Sequence, residues 1–191
     1  MQRQEPYKPT KTEIQASEGE TVRDLIAPNL KVLFCGINPG LYSGATGHHF
    51  AYPGNRFWPA LALAGFTPRQ LEPYEEERLL DYGYGITNFV ERATARASDL
   101  RPDEFIEGRA RLAEKAARYR PNYLAILGIG AFRKAFGRRK VELGLQPEKL
   151  HETRIWLLPN PSGLNAHYQL DDLARLLKEL KEAAEIDDST D

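Results

Sequence analysis

Four short apolar runs, Lys31–Ile37, Gly85–Val90, Tyr123–Leu127 and Arg154–Leu158, are separated by stretches with helical periodicity. Runs of this length bounded by Gly, Pro and Asn read as strands. Strands that alternate with helices predict an α/β fold: a mostly parallel sheet covered on both faces. The helical patterns fall at Asn55–Ala64, Arg69–Leu80, Asp103–Tyr119, Ala131–Phe136 and Leu170–Ile186. Asn55 is placed to cap the first of these, with Pro59 in or near its first turn, where a missing N–H costs least. The helix 103–119 is amphipathic, with Phe105, Ile106, Ala110, Leu112, Ala113, Ala116 and Ala117 as candidate buried positions. Pro121 stops it.

The 191 residues suit one domain, expected over 21–186. Residues 1–20 are polar, carry two prolines and show no apolar period; they are expected to be a disordered tail, and 187–191 to fray. No apolar run approaches a membrane span and the N-terminus has no apolar core, so a cytosolic protein is expected; a monomer is expected as well. A single cysteine, Cys35, excludes an intrachain disulfide and a four-cysteine metal site. His48, His49, His151 and His167 show no metal-binding spacing, so neither metal nor cofactor is expected. Net charge is −1, yet residues 101–140 hold eleven Lys/Arg against four acids. That segment is either a phosphate-contacting surface or a solvated helix face.

In parallel α/β sheets ligands bind beyond the carboxyl ends of strands, so two strand-end loops matter most. In Gly36-Ile37-Asn38-Pro39-Gly40, Asn38 either holds a water or ligand edge or closes an Asx turn. The Gly-rich loop 43–54 carries Phe50 amid small and polar residues, either to stack on a planar base or to anchor the loop. His48 and His49 read as surface residues, either of them within the range of roles that includes a phosphate contact, and Trp58 reads as core. In Pro159-Asn160-Pro161-Ser162-Gly163-Leu164-Asn165, Leu164 is apolar at the tip of a polar turn, either a wedge that unstacks a duplex or an ordinary packed leucine.

Taken together, Phe34-Cys-Gly-Ile-Asn-Pro-Gly-Leu41, Asn55-Arg-Phe-Trp58, Gly85-Ile-Thr-Asn-Phe-Val-Glu-Arg92, Ala125-Ile-Leu-Gly128 and Leu158-Pro-Asn-Pro-Ser-Gly-Leu164 resemble the mismatch-specific uracil-DNA glycosylases, the family of bacterial Mug and thymine-DNA glycosylase. The resemblance runs from about Ile26 to Leu180. It implies a three-layer α/β/α sandwich with a mostly parallel central sheet, no cofactor, and double-stranded DNA with a G·U mismatch as partner. It implies that Asn38 positions the attacking water. Phe50 stacks on the extruded uracil, backbone N–H groups near Ile37, Gly40 and Phe50 read its polar edge, and Ser43 lines the pocket. Asn88, in the motif that opens at Gly85, joins the substrate-binding set. Gly163 and Leu164 enter the duplex, with Asn160, Ser162, Asn165 and His167 around them as DNA contacts. Two departures stand out. Ala166, followed by His167, occupies the place of an arginine in bacterial Mug, and Asn160-Pro161-Ser162 replaces the His-Pro-Ser of the most active uracil glycosylases.

An amide cannot act as a base at neutral pH, so Asn38 can only orient water, and a slow enzyme is expected whose selectivity comes from base extrusion. Rival readings are a glycosylase that also takes single strands or etheno-bases, a sensor that flips without cleaving, and an unrelated nucleotide-binding domain. For the last, Leu127-Gly-Ile-Gly-Ala131 lacks the third glycine of the dinucleotide fingerprint. Ala93 is either a neutral loop residue or a pocket-border position where a carboxylate, as in Ala93→Asp, would assist the reaction.

Overall fold

The computed structural model describes residues 7–188. In chain order its elements are α1 (Lys11–Ala16), β1 (Val32–Gly36), α2 (Leu41–Thr46), α3 (Phe57–Leu63), β2 (Tyr84–Asn88), α4 (Pro102–Tyr119), β3 (Tyr123–Leu127), α5 (Ile129–Phe136), β4 (Gly144–Leu150), β5 (Thr153–Leu158) and α6 (Leu170–Asp188). The strands form one sheet in the order β2-β1-β3-β5-β4, parallel except for β4, which runs antiparallel to β5.

Alternate residues of the strands feed two cores. Phe34, Ile86, Ala125 and Leu158 face α3 and α6, meeting Phe57, Trp58, Leu61, Leu173, Leu177 and Leu180. Leu33, Cys35, Leu124, Ile126 and Leu157 face α4 and α5, meeting Phe105, Leu112, Ala116 and Phe132. Both faces of the sheet are therefore buried, which is why its strands read as continuous apolar runs. The expected three-layer α/β/α sandwich is the one observed.

Four expectations need correction. Residues 7–20 are not a loose tail: Thr10 and Glu13 form a capping box that starts α1. The Ser17 hydroxyl donates to the Leu41 carbonyl, which ties this segment to α2. Residues 1–6 and 189–191 lie outside the described residues, and α6 extends to Asp188. The acidic stretch 69–80 is a 3-10 helix over Pro73–Tyr82, started late by Pro73 and a capping box between Glu72 and Glu75. On α4 the buried face is Phe105, Gly108, Leu112 and Ala116, one residue per turn. Ile106 is exposed, as are Ala110 and Ala117, because α4 packs through a narrow stripe. Finally, β4 was not legible, since Gln146, Pro147, Glu148 and Lys149 lack an apolar run and half the strand faces solvent.

Candidate active site

The order β2-β1-β3 places the strands that follow β1 in sequence on opposite sides of it. That is a topological switch point, where a crevice opens beyond the strand ends. In register, Gly36 sits beside Asn88. A cavity of about 710 Å³ opens there, lined by Ile37, Asn38, Gly40, Ser43, Phe50, Asn88, Asn160, Ser162, Gly163 and Leu164 among others. Ten of the thirteen residues singled out in the sequence thus converge on one cavity, although they span more than 120 positions.

Asn38 lies just beyond β1 with its amide clamped from one side. Its Nδ2 donates to the Arg92 carbonyl at 3.0 Å and to Thr94 Oγ1 at 2.8 Å. A carbonyl can only accept, so the NH2 must be the group that faces it, and Oδ1 is left without a protein partner among the described residues. Thr94 donates its own proton to the Arg96 carbonyl at 2.8 Å, which turns a lone pair toward Asn38. The Arg92 end is fixed as well. Its guanidinium pairs with the buried Glu104 carboxylate at 2.7 and 2.9 Å. That contact, followed by the Arg101 backbone N–H, holds the Glu104 carboxyl at about 2.

Phe50 is held in the left-handed region, φ 52°, an uncommon conformation for a bulky residue. One face of its ring stacks on Phe57 with centroids 4.1 Å apart, so the ring is anchored and still lines the cavity. Gly36 makes this possible: a Cβ there would stand 2.4 Å from Asn88 Oδ1 and 3.3 Å from the Phe50 ring. Ser43 Oγ accepts from the Ala51 N–H, which braces the Phe50 loop and leaves the hydroxyl proton for the cavity. The backbone N–H groups of Ile37, Gly40 and Phe50 have no partner among the described residues.

His49 is buried, contrary to the surface position expected for it. Its Nε2 faces the Arg23 carbonyl at 2.9 Å, so Nε2 carries the proton and Nδ1 is an acceptor, 3.5 Å from Asn88 Nδ2. Burial pushes its pKa below the ordinary 6.5, so the ring stays neutral.

The loop after β5 is tied by its own side chains. Asn160 Oδ1 accepts from the Ser162 N–H, Ser162 Oγ accepts from the Leu164 N–H, and Asn165 Nδ2 donates to the Asn160 carbonyl. Leu164 stands 94% exposed at its tip. Arg56 holds the loop from α3: its guanidinium donates to the carbonyls of Gly163, Asn165 and Tyr168, and its backbone N–H to that of Pro161. Gly163 lies so close to the Gly54 carbonyl that a Cβ would approach it to 2.4 Å. The Phe50 loop and the Leu164 loop are therefore in contact.

Three of the thirteen are not in the cavity lining. Asn165 and His167, expected as DNA contacts around the wedge, lie on the Leu164 loop outside the cavity, where Asn165 bonds the Asn160 carbonyl and His167 is exposed. Ala93 has no exposed surface. Its N–H bonds the Glu20 carbonyl, its carbonyl accepts from Gly19, and its methyl group lies against Gly44, where a Cβ would approach it to 2.9 Å. It is not part of the cavity lining, although its neighbour Thr94 is. The basic segment 101–140 contributes no cation to the cavity; Arg109 and Arg111 bond backbone carbonyls and Lys115 pairs with Asp24. The cations that do line it are Arg56 and Arg96, neither singled out in the sequence. Thr94 was also missed; its only signal was its place after the Val-Glu-Arg stretch. Among the described residues no carboxylate lines the cavity, and no cluster of His, Cys, Asp or Glu could hold a metal.

Comparison with known families adds one finding: the profile of the uracil DNA glycosylase superfamily matches residues 23–183. The chain belongs to that superfamily. This uracil DNA glycosylase hydrolyses N-glycosyl bonds in DNA, and the matched span holds the whole cavity except for Ile14.

Proposed function

We propose that this member is a monofunctional, mismatch-specific glycosylase that extrudes uracil from G·U pairs in duplex DNA and leaves an abasic site, acting as a single copy of the chain. The observation that carries the reading is the pinned Asn38 amide, its Oδ1 without a protein partner, in a cavity that no carboxylate of the described residues lines. Such a site offers no carboxylate to deprotonate water or to form a covalent sugar ester. The reaction it favours is dissociative. The C1′–N1 bond breaks first, its electron pair leaves with the uracil anion, and an oxocarbenium-like sugar remains. Water held by Asn38 Oδ1 adds to C1′ and releases its proton to solvent, while the uracil leaves as the anion and is protonated there.

The unpaired N–H groups of Ile37, Gly40 and Phe50 are suited to the charge that grows on the departing base. Phe50 offers an anchored ring face for the uracil. Leu164 is suited to fill the stack it leaves, and Arg96 presents an exposed guanidinium at the mouth for a phosphate. Extrusion costs least at a mismatch, hence the preference for G·U over A·U.

The test is base release from labelled G·U and A·U duplexes by the parent and by Asn38→Ala. The expected result is faster release from G·U, and a loss of about a hundredfold or more in turnover for Asn38→Ala with duplex affinity kept. Binding without release by the parent would leave a lesion sensor instead.

A further inference from the structure

Next to the cavity the structure carries an aromatic pair that uracil capture does not use. Tyr52 is 61% exposed, and Tyr42 meets it edge-to-face with centroids 6.1 Å apart and an interplanar angle of 85°. Neither hydroxyl has a hydrogen-bond partner among the described residues. Both residues line the mouth of the cavity. Tyr52 follows Phe50 by two positions, its ring lies over Gly54, and Gly54 abuts Gly163 beside Leu164. The pair therefore stands at the mouth that also carries the wedge leucine.

A tyrosine placed for stability buries its ring and bonds its hydroxyl. Tyr52 does neither, and its ring is held in place by Tyr42 and the backbone of Gly54. Rigid aromatic surface exposed beside a base-sized cavity is what single-stranded nucleic acid stacks on, because every base has a π-face.

We propose that Tyr42 and Tyr52 form a second base-binding subsite, which stacks the nucleobase adjacent to the extruded uracil when the target lies in single-stranded DNA. The inference rests on the glycosylase reading of the neighbouring cavity. In a duplex the adjacent base stays stacked on its neighbours and leaves the subsite unused. In a single strand the base is free to splay onto Tyr52, which supplies the grip that Leu164 supplies in a duplex. The mismatch preference then holds among duplexes, and the subsite adds uracil in single strands as a second class of substrate.

The experiment compares the parent, Tyr52→Ala, Tyr52→Phe and Tyr42→Ala on three substrates. These are a G·U duplex, a uracil-containing single strand, and the same strand with abasic sites on both sides of the uracil. Tyr52→Ala raises KM on the single strand by about tenfold, the effect of losing one stacked base, with kcat kept and the duplex rate within about twofold of the parent. Tyr42→Ala does the same more weakly, and Tyr52→Phe matches the parent. The abasic neighbours make the parent as poor as Tyr52→Ala and leave that variant no poorer, since ring and base are partners in one contact. The proposal is overturned by a parent that cleaves the duplex but not the single strand. It is equally overturned by a Tyr52→Ala that loses on both alike or on neither, by a Tyr52→Phe as impaired as Tyr52→Ala, or by additive losses from ring and base. A parent that releases uracil from no substrate refutes the glycosylase reading itself.

Discussion

Arg56→Ala removes the tie between α3 and the Leu164 loop. Three hydrogen bonds go with it, to Tyr168 O at 2.7 Å, Asn165 O at 3.0 Å and Gly163 O at 3.2 Å. A hydrogen bond to a charged group nets about 1.5–3 kcal/mol when shielded and little when exposed. The bond to Gly163 is exposed and counts for little; the other two are partly buried, and at the low end sum to about 3 kcal/mol. The loop keeps its own Asn160, Ser162 and Asn165 bonds and the Arg56 backbone bond to Pro161, so only part of that sum appears as lost loop order. Disorder at Leu164 then slows excision from a G·U duplex by about ten- to a hundredfold, at about 1.4 kcal/mol per decade. Arg56→Lys, with a compact ammonium instead of a fork, falls between parent and Arg56→Ala. Single-turnover excision, paired with thermal unfolding, makes the measurement. Because the wedge acts on stacking, single-stranded uracil suffers much less than duplex uracil. Equal losses on the two substrates, or a duplex rate within about threefold of the parent in a correctly folded variant, would refute the argument.

Thr94→Val removes one of the two acceptors that orient Asn38; loss of about one hydrogen bond's net worth lowers kcat by roughly five- to tenfold with KM kept, and Thr94→Ser restores it. An equal change in KM would assign Thr94 to substrate binding instead. Acid unfolding tests the Arg92–Glu104 pair: the Glu104 carboxyl is held at about 2 against an ordinary 4.5, so its stabilisation is complete above about 4.5 and is lost as pH falls toward 2. Glu75, held at about 2 chiefly by Arg69, titrates over the same window. Glu104→Gln therefore flattens, without abolishing, the fall in stability there; an unchanged profile would show that the pair contributes nothing.

The strands and the cavity floor were legible because they rest on local signals. Continuous apolar runs marked β1, β2, β3 and β5, and turn residues marked the loops that follow β1 and β5. What was hidden depends on partners far away in the chain. Arg56 reads as part of a helix start, and its role appears only when residues 163–168 fold onto it. His49 looks like a surface histidine in a polar loop until the Arg23 carbonyl and Asn88 close around it. The burial of Ala93 was likewise hidden, because its backbone partners, Gly19 and Glu20, lie more than seventy positions earlier in the chain. The cations of 101–140 are dense in sequence, but none of them lines the cavity: Arg109 and Arg111 bond backbone carbonyls and Lys115 pairs with Asp24.

The tie between Arg56 and the Tyr168 carbonyl spans 112 positions. On a ribosome adding about 5–20 residues per second, roughly ten seconds separate the two ends of that bond. During that interval Asn38 and Phe50 have already been made, while α3 still lacks the cover of Leu173, Leu177 and Leu180 from α6. A chain cut short within that interval carries Asn38 and Phe50 in sequence but lacks both the wedge loop that Arg56 ties down and the α6 leucines that complete the core around Phe57.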